Sequence, residues 1–156
     1  MEIEFIKMHG LGNDFVFIDD RDEKIKQHKS YPLLAKKFCS RHFGIGADGI
    51  ILILDSSDHD IQFKVFNSDG SEAQMCGNAI RCFAKYLYEK KIVDKKKIRV
   101  ETMAGTIVPE VIIDDNGLVQ SVRVDMGEPV LLCRDIPFIS QNMKSVEEPL
   151  RVGDKE

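Results

Sequence analysis

The sequence predicts an α+β fold. Two observations carry that expectation: one strongly amphipathic helical segment near the middle, residues 77–90, and short β-branched or alternating runs on both sides of it, separated by glycine turns. With 156 residues, 43% of them apolar, the chain has enough material for one ordinary core and part of a second.

The elements follow in order. Residues 2–8 and 14–19 read as two strands, because the glycine-rich loop His9-Gly-Leu-Gly12-Asn13 interrupts two extended runs. That loop has neither a Gly-Lys-Ser/Thr ending nor a following helix, so it is not a phosphate loop. Ser30 is placed to cap a helix over 31–43, with Pro32 in its first turn and Leu34, Ala35, Phe38, Cys39 and His42 on one side. A second glycine turn, Gly44-Ile-Gly46-Ala-Asp48-Gly49, precedes an apolar strand at 50–54, and another strand at 61–66 runs directly into Asn67. In the central helix, Ile80, Phe83, Ala84 and Leu87 recur at the spacing of a core-facing stripe. Beyond it the pattern is strand: 98–102, a turn at Gly105, 106–113, the Asp115-Asn-Gly117 turn, then 119–126. The segment after about 128 carries weaker signals, and its last residues, Arg151 to Glu156, resemble a hairpin turn.

Composition narrows the function classes. The net charge is −4 with both signs interspersed, and Lys95-Lys96-Lys97 reads as a solvated turn, so nucleic acid is not an expected partner. No apolar run approaches the ~18 residues of a membrane span and no leader pattern opens the chain, which predicts a cytoplasmic protein without a membrane partner. Cys39, Cys76, Cys82 and Cys133 show no metal-ligand spacing and are expected to be free thiols.

One of the four stands apart. In Asn67-Ser-Asp-Gly-Ser-Glu-Ala-Gln-Met-Cys76-Gly-Asn78-Ala-Ile-Arg81 a polar turn delivers Cys76 to the start of the central helix. The leading N–H groups of a helix lack internal partners and carry the positive end of its dipole, which favours a thiolate there. Cys76 is therefore a candidate base, nucleophile or redox centre. Cys82, six residues on, lies about 240° around the helix, so the two thiols do not converge and Cys82 is assigned to packing.

The same stretch, Asn67-x-Asp69-Gly70-Ser71-x-x-x-x-Cys76-Gly77-Asn78-Ala79-x-Arg81, resembles the signature of the diaminopimelate epimerase family. His9-Gly-Leu-Gly-Asn13-Asp-Phe15, Gly44-Ile-Gly-Ala-Asp-Gly49 and Asp125-Met-Gly-Glu-Pro129 are similar to further motifs of that family, in the same order. The resemblance implies an isomerase that interconverts LL- and meso-diaminopimelate at the α-carbon, in lysine and cell-wall precursor biosynthesis, with neither pyridoxal phosphate nor a metal. It implies two thiols flanking the α-carbon, one removing a proton and the other returning one to the opposite face. Cys76 would be one of them. Gly77 and Asn78 would hold the substrate α-carboxylate through backbone N–H groups, and Asn13 and Asn67 would bind substrate through amides that both donate and accept.

The resemblance further implies a mixed sheet or barrel wrapped around a central helix, occurring twice in a pseudo-symmetric enzyme with its site in the cleft between halves. On that basis residues 1–122 form the domain with the first cysteine, and 123–156 a linker strand and the start of a second domain. The family's second cysteine lies in an Ala-Cys-Gly-Thr-like motif that is absent from these residues, and Leu132-Cys133-Arg134 does not replace it. The chain thus reads as about half of the enzyme, inactive by itself, with a homodimer as a further expectation. Some members carry glutamine where Gly49 stands, a contact this chain lacks. Two rivals remain: another racemase of the same fold, although proline racemases carry histidine at the position of Asn78, and a non-catalytic ligand-binding half-domain.

Overall fold

The computed structural model describes residues 2–149, within which the extended runs pair into one seven-stranded mixed sheet. Its strands are β1 (Ile6–Gly10), β2 (Asn13–Asp19), β3 (Gly49–Leu54), β4 (Ile61–Asn67), β5 (Glu72–Ala73), β6 (Val100–Thr102) and β7 (Gly105–Ile107). The order is β1-β2-β3-β4-β6-β7, with the two-residue β5 pairing the far end of β4. The β2–β3 and β4–β6 pairs are parallel and the rest antiparallel. A separate hairpin joins β8 (Glu110–Ile113) to β9 (Val119–Arg123).

Alternation along the strands divides the core in two. Phe15, Phe17, Ile51, Ile53, Phe63 and Val65 point to one face and pack on helix α3 (Gly77–Glu89) through Ala79, Ile80, Phe83, Ala84 and Leu87. Phe63 and Phe83 meet edge to face, 5.1 Å between ring centres. The β8–β9 hairpin closes the outer side of α3 with Val111 and Val119, and Lys85 Nζ donates to the Val119 carbonyl at 3.2 Å. The expected wrapping of strands around the central helix is therefore a sheet on one side and a hairpin on the other. Val16, Ile18, Ile50, Leu52 and Phe66 point to the opposite face, covered by α1 (Lys24–His28) and α2 (Tyr31–Cys39). Every residue of β3 is buried, because a layer of helix lies on each side of it.

Several boundaries differ from the sequence reading. The first strand begins at Ile6 rather than residue 2. Helix α2 stops at Cys39, so His42 is exposed instead of on the buried stripe. Gly44 explains the stop: a Cβ there would lie 2.2 Å from the Lys37 carbonyl oxygen, so only glycine lets the chain double back against the helix end. Ser30 is the N-cap residue, but its hydroxyl caps nothing; the Leu34 N–H bonds its carbonyl. The strand expected over 106–113 is broken near Pro109, which has no N–H to donate, and its two parts belong to different sheets. Gly49 is closed off by packing: a Cβ there would meet the Phe66 carbonyl oxygen at 2.6 Å, so this backbone leaves no room for the glutamine of other members.

Helix α1 was not expected from the sequence. It is organised by Asp20, fully buried, whose carboxylate accepts from Ile25 N at 2.8 Å, Lys26 N at 3.0 Å and the Tyr31 hydroxyl at 2.6 Å.

The chain divides into two compact units, residues 1–125 and 126–156. Within the second, Leu132 bridges Lys144, and a 3-10 turn, Cys133–Asp135, holds the buried Cys133. The hairpin turn expected at Arg151 to Glu156 lies outside the described residues.

Because Asp20 satisfies two helix-start amides and a phenol from a buried position, Asp20→Ala is expected to lower the unfolding free energy by roughly 2–4 kcal/mol, and Tyr31→Phe by about 1 kcal/mol. Urea denaturation of the two variants beside the parent chain measures both values.

Candidate active site

The β1–β2 turn is a two-residue hairpin connection in which Leu11 and Gly12 both have positive φ, 56° and 87°. Its flank, Gly10, abuts the start of α3: a Cβ on Gly10 would sit 3.2 Å from both Cβ and the carbonyl oxygen of Asn78. Absence of a side chain there brings Asn13, Gly10's partner across the hairpin, to Cys76.

Cys76 is the N-cap residue of α3, in extended conformation with φ −138°, rather than a residue of its first turn. Its carbonyl accepts the first intrahelical bond, from Ile80 N at 2.9 Å, and its thiol is half-buried. Gly77 and Asn78 are the first two helical residues, whose N–H groups have no acceptor within the helix. The Cys76 thiol donates to Asn13 Oδ1 at an S···O distance of 3.6 Å, and Asn78 Nδ2 donates to the same oxygen at 3.3 Å.

Charged side chains to which the sequence reading gave no site role complete the cluster. Asn13 Nδ2 donates to Asp48 Oδ2 at 2.7 Å, and Arg81, one turn beyond Asn78 on the same helix face, donates from Nη2 to Asn78 Oδ1. Asp48 also accepts from Asp14 N at 3.0 Å and from Arg41 Nη2 at 2.8 Å. Asp14 takes a second bond from Arg41 at 2.9 Å and pairs with Lys7 at 3.0 Å. The Arg41 hydrogen bond, aided by Lys7 and opposed by burial, holds the Asp14 carboxyl well below the usual carboxylate range. The available signal for Asp48 was membership of the Gly44–Gly49 motif, and for Arg41 proximity to it. For Arg81 it was the i, i+3 spacing from Asn78.

Asn13, Cys76, Gly77 and Asn78 therefore come together. Asn67 is joined less directly: its amide donates to Ser71 Oγ at 2.9 Å inside its own turn, where Asp69 accepts from both N–H and hydroxyl of Ser71. The turn attaches to the cluster through Ser68 N, which donates to the Asp48 carbonyl at 3.1 Å.

The remaining thiols have other surroundings. Cys39 belongs to the helical layer on the far side of the sheet, where burial, then the Asp14 and Asp48 charges, push its pKa up to about 11. Cys82 is buried in the core cluster around α3, and burial raises its pKa. Cys133 is buried in the second unit. Among the described residues no group of three or more His, Cys, Asp or Glu is arranged to hold a metal ion, and no helix is long and apolar enough to cross a membrane.

These environments set the order of thiol reactivity. Near neutral pH, iodoacetamide is expected to modify Cys76 about tenfold or more faster than Cys39, Cys82 or Cys133, since thiolate character and access both control the rate. Peptide mass spectrometry over a time course gives the four rates; equal rates would contradict this picture of the site.

A family model described as diaminopimelate epimerase matches residues 5–132. The diaminopimelate epimerase of Desulforapulum autotrophicum is 54% identical over 152 residues, 97% of this chain and 54% of that protein. That of Pelotomaculum thermopropionicum is 51% identical over 151 residues, covering 97% and 53%. The chain thus spans about half the length of the curated relatives it matches. Among solved structures, a methylitaconate-delta-isomerase superposes with a TM-score of 0.61 at 16% identity, over 76% of this chain and 36% of that one. A hydroxyproline epimerase from Agrobacterium vitis gives 0.58 at 17% identity, over 77% and 40%. At such identities the likeness is one of fold.

Proposed function

Because the chain belongs to the diaminopimelate epimerase family, we propose that it supplies one half-site of a cofactor-independent epimerase acting on diaminopimelate, with Cys76 as one of two proton-transfer thiols. The observation that carries this reading is the half-buried Cys76 thiol at the N-cap of α3, 3.6 Å from Asn13 Oδ1.

The chemistry follows from what inversion at an amino-acid α-carbon requires. The α-hydrogen is weakly acidic, so its removal needs a positioned base together with donors aimed at the negative charge that develops on the carboxylate. The backbone N–H groups of Gly77 and Asn78 stand at the helix start beside the thiol and suit that carboxylate. In one direction Cys76, as thiolate, takes the α-hydrogen, and an opposing acid delivers a proton to the other face. In the reverse direction Cys76 is the acid. Asn13, against the thiol, suits the reacting end of the substrate, and Asn67, held in its own turn, the distal end.

The opposing group is not one of the other described cysteines: Cys39 lies across the sheet, and Cys82 and Cys133 are buried. The reading therefore assigns residues 1–122 to the domain with the first thiol and the second thiol to polypeptide other than this unit. A cytoplasmic location and pairing of two copies belong to the same family-based reading.

The test is exchange and inversion of diaminopimelate in deuterated water by the intact protein that carries this chain. Cys76→Ala is expected to reduce kcat for inversion by about a hundredfold or more, while Cys82→Ala changes thermal stability only. Undiminished inversion by the Cys76→Ala protein would remove this thiol from the mechanism.

A further inference from the structure

Four side chains of the cluster form a head-to-tail series. Arg81 donates to Asn78 Oδ1, Asn78 Nδ2 donates to Asn13 Oδ1, and Asn13 Nδ2 donates to Asp48 Oδ2. A guanidinium is donor only and a carboxylate acceptor only, so the two charged ends dictate how both amides between them are turned. Neither amide is able to reverse without setting N–H against N–H, or oxygen against oxygen, at one of its ends. The amide orientations thus follow from Arg81 and Asp48.

We propose that Asp48 and Arg81 are positioning residues that pin the amide orientations of Asn13 and Asn78, so that an oxygen, and never an NH2 group, faces the Cys76 thiol.

Asp48 is well placed for this. Its two oxygens are further fixed by Asp14 N and Arg41, its backbone N–H donates to the Asp14 carbonyl at 2.9 Å, and its carbonyl accepts from Ser68 N. It therefore has no freedom to follow Asn13 if that amide turns. At the other end, Arg81 is carried one turn from Asn78 on the same rigid helix. The consequence at sulfur is directional: the thiol hydrogen is engaged by Asn13 Oδ1 and the sulfur lone pairs are left for other neighbours. Each asparagine NH2 group spends one hydrogen within the series and retains one. The pinned half-site therefore still offers amide donors, the pattern that a substrate carboxylate needs.

The proposal rests on Cys76 being the reacting thiol but is measurable without turnover. In the 156-residue chain, the alkylation rate of Cys76 by iodoacetamide at a fixed near-neutral pH is compared among the parent, Asp48→Asn, Arg81→Leu, the Asp48→Asn/Arg81→Leu pair, Asn13→Ala, and that pair in the Asn13→Ala background. Either charged end alone still pins the series, so each single variant is expected to stay near the parent rate, whereas the pair releases Asn13 to turn its NH2 toward sulfur and the rate is expected to rise about threefold to tenfold, the size of one hydrogen bond in water. In the Asn13→Ala background the same pair is expected to leave the rate at that of Asn13→Ala alone, because the amide that transmits the effect is gone. An equal rise in both backgrounds would mean a purely Coulombic action of the two charges, and no rise in either would mean no action; both outcomes overturn the proposal. Should the Asp48→Asn/Arg81→Leu pair fail to fold, more conservative pairs supply the same test: Asp48→Asn/Arg81→Gln, with an amide able to donate or accept at each end, is expected to accelerate alkylation, and Asp48→Asn/Arg81→Lys, whose ammonium only donates, to keep the parent rate. Identical rates for these two pairs would count against the proposal. Failure of the catalytic reading shows separately, as inversion retained by Cys76→Ala while the labelling cycle behaves as described.

Discussion

The constraint on which the site end of this molecule depends is the anchoring of Asp48. Its backbone N–H reaches the start of β2, its carbonyl receives the turn after β4, and its carboxylate gathers Asn13, Asp14 and Arg41. Three segments far apart in sequence, 9–15, 44–49 and 67–81, meet around it. Such convergence needs a residue able to accept several bonds at once from a half-exposed position, which is what an aspartate with a guanidinium beside it offers.

The glycines act as the steric counterpart of that network. Gly10 lets the first hairpin lie against the start of α3, Gly44 lets the chain turn back on α2, and Gly49 lets β3 close on β4 at the carbonyl of Phe66. Of these, only a position needing close backbone approach is at issue, since none of the three has the positive φ that characterises Gly12 or Gly46. The polar network fixes direction and the glycines fix distance.

Much of the fold was legible in the sequence because burial imposes periodicity. The stripe Ile80, Phe83, Ala84, Leu87 announced α3, and the unbroken apolar run at 50–54 announced a strand covered on both faces. What was not legible depended on partners remote in sequence. Helix α1, inside the polar run from Asp19 to Lys29, exists because Asp20 is buried and captures its leading amides. The sheet change near Pro109 reflects a missing donor whose importance shows only when the neighbouring strand is known. At the site, Cys76, Gly77 and Asn78 were evident from the turn preceding a helix, and Asn13 from its motif. The roles of Asp48 and Arg41 were hidden, since a charged residue's partner 35 positions away, as for Asn13 and Asp48, leaves no local pattern; Arg81 stood in the signature at i, i+3 from Asn78, and only the folded site shows what it holds.

The parallel pairing of β2 with β3 has a further consequence, for the order in which the chain assembles. These strands adjoin only after the 29 residues between Asp19 and Gly49 have folded over the sheet as α1 and α2, so their ladder is a late, non-local contact whose loop-closure entropy precedes its reward. Until then Ile50 and Leu52 have no cover on that side, and a nascent chain emerging in sequence order exposes β2 before its parallel partner exists. The sheet against which α3 and its N-cap Cys76 are packed is thus gated by the helical layer on its opposite face: a defect in α2, remote from the thiol, acts first on the yield of folded protein.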